Sequence, residues 1–260
     1  MLNLASSLTG FSLQCRDGEI GQVKELYFDD QFWTIRYLVV DTGSWLVDRQ
    51  VLISPNAVTG IGNLKRHVIV DHTRQQIADS PSIDADRPVS RQSEEDYHGY
   101  YGWPSYWEGA KSWGSSPFPP RQSGGRVSDT GVPLPWDVHL RSTKHVTGYQ
   151  IHAADGAIGH IEDFLIDSES WAIRYLVVNT GHWWQGHRVL IAPKWVDVIS
   201  WPESLVRVAL TREFIQSSPV FNQQVLLSRQ YEADLHDHYG RPGYWQEESA
   251  FQDTASPYWR

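Results

Sequence analysis

Residues 20–26, IGQVKEL, and residues 158–164, IGHIEDF, alternate apolar with polar positions and predict strands. An Asp-Gly pair precedes each, Asp17-Gly18 and Asp155-Gly156. Aspartate and glycine tolerate positive φ, so each pair predicts a hairpin from a short strand just before it, at 11–15 in the first case. Gly21 and Gly159 interrupt the alternation and predict a bulge or a tight bend of a curved sheet. After a polar turn at 29–31 and 167–169 come WTIRYLVVDTG, residues 33–43, and WAIRYLVVNTG, residues 171–181. Ile35, Tyr37 and Val39 point one way, and Arg36, Leu38 and Val40 the other. Both faces are largely apolar, which marks a central strand buried on most of its surface. Val51-Leu52-Ile53, stopped by Pro55, and Val189-Leu190-Ile191, stopped by Pro193, predict further strands. Residues 58–61 and 67–70 supply two short ones.

The pattern then changes period. Residues 73–78 and 211–216 predict one or two helical turns capped by Thr73 and Thr211 and stopped at Ser80-Pro81 and Ser218-Pro219. SRQSEEDYH at 90–98 and SRQYEADLH at 228–236 predict a second helix, with Glu94 and Glu232 early in it. Each stretch closes on aromatic residues, YYGWPSYW at 100–107 and HYGRPGYW at 238–245.

Shifting the chain on itself by 138 positions aligns residues 10–107 with 148–245 without a gap, and 40 of those 98 pairs are identical. The chain is an internal duplication. It divides into a first domain at 1–110, a Gly/Pro/Ser-rich linker at 111–138 and a second domain at 139–260. Five or six short curved strands per copy predict an all-β fold with short helices, built as two tandem six-stranded β-barrels. Closure would remove free strand edges. A two-layer sandwich is the alternative.

Composition narrows the function classes. Net charge is −9 over 260 residues, which argues against a nucleic-acid partner. Cys15 is the one cysteine, so no intrachain disulfide or thiolate metal cluster can form. Ala153 occupies its place in the second copy, which suggests a small buried filler. An unpaired thiol and an N-terminus unlike a signal peptide point to the cytoplasm. No apolar run approaches the ~20 residues that span a bilayer.

Motifs for phosphate loops, metalloproteases and nucleophile elbows are absent from the sequence. Asp29 and Asp167 suit turn chemistry. His236 and His238, with Asp234 and Asp237, could hold a metal, but Tyr100 replaces the second histidine in the first copy, so a structural role is preferred. No catalytic, cofactor or metal residue is therefore assigned. Arg36 and Arg174, in apolar strands, require a carboxylate or carbonyl partner. The compositional excess is aromatic, with 13 tryptophans and 12 tyrosines. Trp103, Tyr106, Trp107, Tyr244 and Trp245 are the candidate partner interface. The competing reading has each tail sealing its own barrel.

The repeated block resembles the PRC-barrel family. Gly18, Ile20, Gly21, residues 36–40 and residues 51–55 carry the resemblance in the first copy. Gly156, Ile158, Gly159, residues 174–178 and residues 189–193 carry it in the second. It covers about residues 8–80 and 146–218 and implies a six-stranded barrel in each, with Gly21, Arg36, Tyr37, Pro55, Gly159, Arg174, Tyr175 and Pro193 as structural motif positions. The family is named for the cytoplasmic domain of the photosynthetic reaction centre H subunit and includes a domain of a ribosome maturation factor. Its roles are mostly docking roles, and no catalytic residues accompany the fold. The chain differs from both: it has no membrane helix like that of the H subunit, and it is a tandem. The expected function is non-enzymatic protein docking or self-association, with a homodimer possible. The alternatives are a structural or stress-related protein without a dedicated partner, and a small-ligand binder or enzyme with a pocket near Arg36 or Arg174.

Overall fold

A computed structural model describes residues 1–43, 45–46, 49–81, 89, 91–105, 139–181, 187–222 and 227–246, without the side chains of residues 91 and 92. The expected linker at 111–138 lies outside them, as do Tyr106 and Trp107.

In the first repeat, the Asp-Gly hairpin joins β2 (Ser12–Cys15) to the long β3 (Gly18–Asp29). The apolar motif forms β4 (Thr34–Asp41), followed by β5 (Gln50–Ile53), a 3-10 turn at Pro55–Ala57, β6 (Val58–Gly62) and β7 (His67–Val70). These six strands run in the order β5-β4-β3-β2-β7-β6, with β2 and β7 parallel and the other neighbours antiparallel. Thr73 caps α2 (Arg74–Ala78) in a reciprocal capping box with Gln76. α3 (Arg91–Tyr101) ends the repeat.

The second repeat copies this plan. β9 (Gln150–Ala153), β10 (Gly156–Asp167), β11 (Ile173–Asn179), β12 (Arg188–Ile191), β13 (Val196–Ser200) and β14 (Leu205–Val208) take the same order. α5 (Arg212–Gln216) and α6 (Arg229–His238) follow. The protein is mostly β with short helices, as expected.

Barrel closure is where the observed sheets depart from the expectation. Among the described residues, no ladder joins β5 to β6 or β12 to β13. Pro55 and Pro193 lack an N–H and open 3-10 turns there, so the chain turns the corner without pairing.

Among the described residues, each sheet has seven strands rather than six, because the repeats exchange their first strands. β1 (Leu2–Leu4) pairs with β10 of the second repeat, and β8 (Leu140–Ser142) pairs with β3 of the first. The following turns, α1 (Ala5–Leu8) and α4 (Thr143–Val146), cross the same seam. The Ser6 N–H donates to Asp163 at 3.1 Å, and the Thr143 hydroxyl donates to Leu26 O at 3.1 Å. Asp30 accepts from Arg141 Nε at 2.8 Å, with His139 Nδ1 at 2.9 Å. At the centre, Ile35 N–H donates to Trp171 O at 2.9 Å and Ile173 N–H to Trp33 O at 2.7 Å. Trp33 and Trp171 hold φ of 52° and 58°, a left-handed conformation that costs a bulky residue about 1 kcal/mol or more. The reciprocal bridge holds both in place. One buried apolar cluster accordingly runs through both repeats.

Cys15 lies in this core at 3% exposure. Burial, aided by Asp17, pushes its thiol up to about 11. Alkylation of the native protein at pH 8 should therefore run about a hundredfold slower than in denaturant, and should quicken as pH rises. Cys15→Ala should shift stability by no more than about 1 kcal/mol, because Ala153 already fills the equivalent space. A native rate matching the denatured rate would contradict this burial. None of the described helices is long and apolar enough to cross a membrane.

Candidate functional site

The polar residues shared by both copies converge where the last helix of each repeat meets its central strand. Glu94 and His98 stand four residues apart on α3, and Glu232 and His236 on α6, so each pair shares a helix face. The hydroxyl of Tyr37, on β4, lies 2.9 Å from Glu94 Oε1 and 2.9 Å from His98 Nε2. Tyr175 on β11 repeats this at 3.1 Å from Glu232 Oε1 and 2.9 Å from His236 Nε2. All six side chains are buried.

The conserved spelling of the two tails follows from this arrangement. Gly102 and Gly240 take φ of 68° and 60° and end the helices. The chain then doubles back, so that the carbonyls of Pro104 and Pro242 face Nδ1 of His98 and His236 at 3.0 and 2.9 Å. A carbonyl only accepts, so each Nδ1 carries a hydrogen. Each tyrosine hydroxyl has one hydrogen for two neighbours. The remaining contact needs a further proton, held on histidine Nε2 or on the glutamate carboxyl. In the second repeat Arg229 Nη1 lies 3.0 Å from Glu232 Oε2. Burial, then the Glu232 charge, pushes the Tyr175 hydroxyl far up and the Tyr244 hydroxyl to about 12.

This network binds helix to sheet and has its own test. Tyr175→Phe should lower stability by about 1–3 kcal/mol in chemical denaturation, because buried groups lose their partner. An unchanged midpoint would show that the hydroxyl bears no part in the packing.

The arginines of the central strands meet carboxylates. Arg36 Nη2 lies 3.3 Å from Asp29 Oδ2. Arg174 Nη2 lies 3.2 Å from Asp167 Oδ2 and 3.1 Å from Ser170 Oγ. The aspartates also organise the turns: Asp29 Oδ1 accepts the N–H of Gln31 at 2.8 Å, and Asp167 Oδ1 accepts that of Glu169 at 3.2 Å. Burial dominates at Asp29 and raises its carboxyl despite Arg36. At Asp167 burial also pushes up, but Ser170, the Glu169 N–H and Arg174 outweigh it, and the net direction is down.

Of the five aromatic residues expected to form a partner surface, Trp103, Tyr244 and Trp245 are described, and Trp103 and Tyr244 are buried. Trp103 is 9% exposed, stacked on Tyr101 at 4.2 Å and edge-on to His98 at 5.7 Å. Tyr244 is 7% exposed and donates to Glu232 at 2.9 Å. Trp245 is partly buried under the Arg229 guanidinium, 4.4 Å from its ring centre. Burying these large rings against the sheet outweighs leaving them wet. Gly21 and Gly159 sit at the bulges of β3 and β10, and Pro55 and Pro193 open the 3-10 turns.

One exchange of residues is visible only in three dimensions. The indole beside His98 comes from Trp103 in the tail, where the second repeat has Arg241. Beside His236 lie Trp195 of the 3-10 turn at 5.0 Å, where the first repeat has Ala57, and Trp245 of the tail at 5.1 Å; Trp195 packs on Tyr239 as Trp103 does on Tyr101. Each repeat fills the same space from a different element.

Among the described residues, clefts flank the seam on two sides. One, about 390 Å³, runs between β6 and the 168–171 turn, with Asn56, Thr59, Ile61, Glu169 and Trp171 among its walls. The other, about 200 Å³, is lined by Phe32 and Trp33 from the first repeat and by Arg174, Pro193, Lys194 and Tyr244 from the second. Among the described residues, no group of three or more His, Cys, Asp or Glu side chains could hold a metal. Compared with known proteins, the chain matches no family model and no curated relative.

Proposed function

We propose that the chain is a tandem of PRC-type barrels acting as a non-enzymatic docking protein in a reducing, cytoplasmic setting. The duplicated hairpins, the Gly21 and Gly159 bulges and the buried IRYLVV strands support the barrel reading. The duplicated tyrosines, glutamates, histidines and arginines are engaged inside the fold, so their chemistry serves packing. The buried unpaired Cys15 accords with a reducing compartment.

The observation that carries the docking role is the cleft beside β6. Among the described strands β6 pairs with β7 alone, and its free side borders the 390 Å³ cleft. An extended segment of a protein partner can add to such an edge through main-chain hydrogen bonds, with its side chains held by the Ser168–Trp171 wall. A photo-crosslinking residue at Thr59, which is exposed, should give a discrete protein adduct that excess unlabelled protein competes away. The same residue at Phe214, on α5, should not. Equal labelling at both positions, or none at Thr59, would remove the docking role.

A further inference from the structure

A shift of 138 residues carries the cleft beside β6 onto a counterpart beside β13, and the two places differ in what occupies them. Asn3 and Asn63, in the walls of the β6 cleft, become Arg141 and Trp201, and the Ser168-Glu169 turn becomes Asp30-Gln31. The Arg141 guanidinium lies 4.2 Å from the Trp201 ring centre, and its Nε donates to Asp30 at 2.8 Å. Arg141 therefore reaches from the turn across to the end of β13. The smaller cleft, on that same turn, has no β13 residue in its walls. Beside β6 the asparagines are too short for such a span, and the larger cleft takes in Val58, Thr59, Gly60 and Ile61. One half of the molecule fills the place from its own chain with an arginine stacked on an indole. The other half leaves it open.

The open cleft keeps the chemistry that such a pair would meet. Glu169, exposed, stands at the turn, and among the described residues no cation pairs with its carboxylate. The Met1 ammonium in the same walls is held by Asp167 at 3.3 Å. Asn3, Asn56 and Asn63 offer amide oxygens to a guanidinium. A volume of about 390 Å³ compares with the ~150 Å³ of a cavity that holds benzene, so an indole and a second group beside it fit.

We infer that the partner segment docked along β6 carries a tryptophan and an arginine two positions apart. That spacing puts both on one face of an extended chain, with the ring toward Asn63 and the guanidinium between the ring and Glu169. The inference rests on the docking reading and adds the partner's chemistry to it. Three labelled, capped hexapeptides test it by fluorescence anisotropy with the full chain: Thr-Trp-Thr-Arg-Thr-Thr, the same with glutamate for arginine, and the same with alanine for tryptophan. The first should bind saturably and at least about tenfold more tightly than either of the others. Asn3→Arg combined with Asn63→Trp installs the sibling pair. It should weaken the first peptide by about tenfold or more while leaving the thermal midpoint at or above the parent's. Glu169→Gln, at an exposed position, should weaken the first peptide by about two- to fivefold and leave the glutamate peptide no weaker. No saturable binding of the first peptide, equal binding of all three, or full affinity in the folded variants would each overturn the inference. If the Thr59 crosslink persists beside such a result, the docking role stands and only this partner chemistry falls. Loss of the crosslink removes both.

Discussion

Gly159→Ala should destabilise both repeats together, because the exchanged strands couple them. Gly159 holds φ of +147°, a conformation that residues with a Cβ rarely adopt. An added Cβ would lie 1.9 Å from Asn179 O and 2.9 Å from Thr180 Cα. Both are backbone atoms at the end of β11 and cannot swing aside as a side-chain tip would. Gly21 repeats the situation, 2.1 Å from Asp41 O. Strain and overlap together should cost about 3–5 kcal/mol, a large share of the stability of an ordinary domain. Gly181→Ala is the control. It has φ of +56° and nothing within 4 Å of its added Cβ, so it should cost only about 1 kcal/mol. Urea denaturation followed by far-UV circular dichroism separates the two. Near-parental stability of Gly159→Ala would mean that β10 does not bend against β11 at this point.

Phe28→Ala and Phe164→Ala test the seam. Both side chains are fully buried, and their rings lie 5.7 Å apart, one from each repeat. Phe28 also stacks on Trp33 at 5.4 Å. Each truncation should cost about 3–5 kcal/mol. The double variant should fall short of the sum by about 0.5–3 kcal/mol, because the two rings share a contact. Each single variant should still unfold in one transition detected alike by probes in either repeat. Strict additivity, or separate transitions for the two halves, would show that the repeats fold as independent units.

Much of each repeat is legible locally. The Asp-Gly hairpins, the Thr73 and Thr211 caps and the proline stops are chemistry between near neighbours, which a short window of sequence contains. The demand that Arg36 and Arg174 find carboxylates follows from burying a charge, and the Asp29 and Asp167 partners lie seven residues upstream. The tyrosine–glutamate–histidine networks are less accessible, because Tyr37 and Tyr175 are separated from their partners by 57 and 61 positions. A hint was present: the glutamate, the histidine and the Tyr-Gly-x-Pro ending recur together in both copies, beyond what helix formation alone requires.

By itself, then, the sequence determined the duplication, the strands and bends of each copy and their polar turns, since these depend on periodicity and on residues a few positions apart. Tertiary structure alone decided which sheet receives each first strand. A three-residue segment such as Leu2-Asn3-Leu4 has the same hydrogen-bonding groups for either sheet, and only the packing of both repeats selects the exchange. The same holds for the burial of Trp103 and Tyr244 and for the exchange of Trp103 and Trp195. Each depends on which volumes and charges meet across the pseudo-symmetric interface, and that information is distributed over residues far apart in the chain.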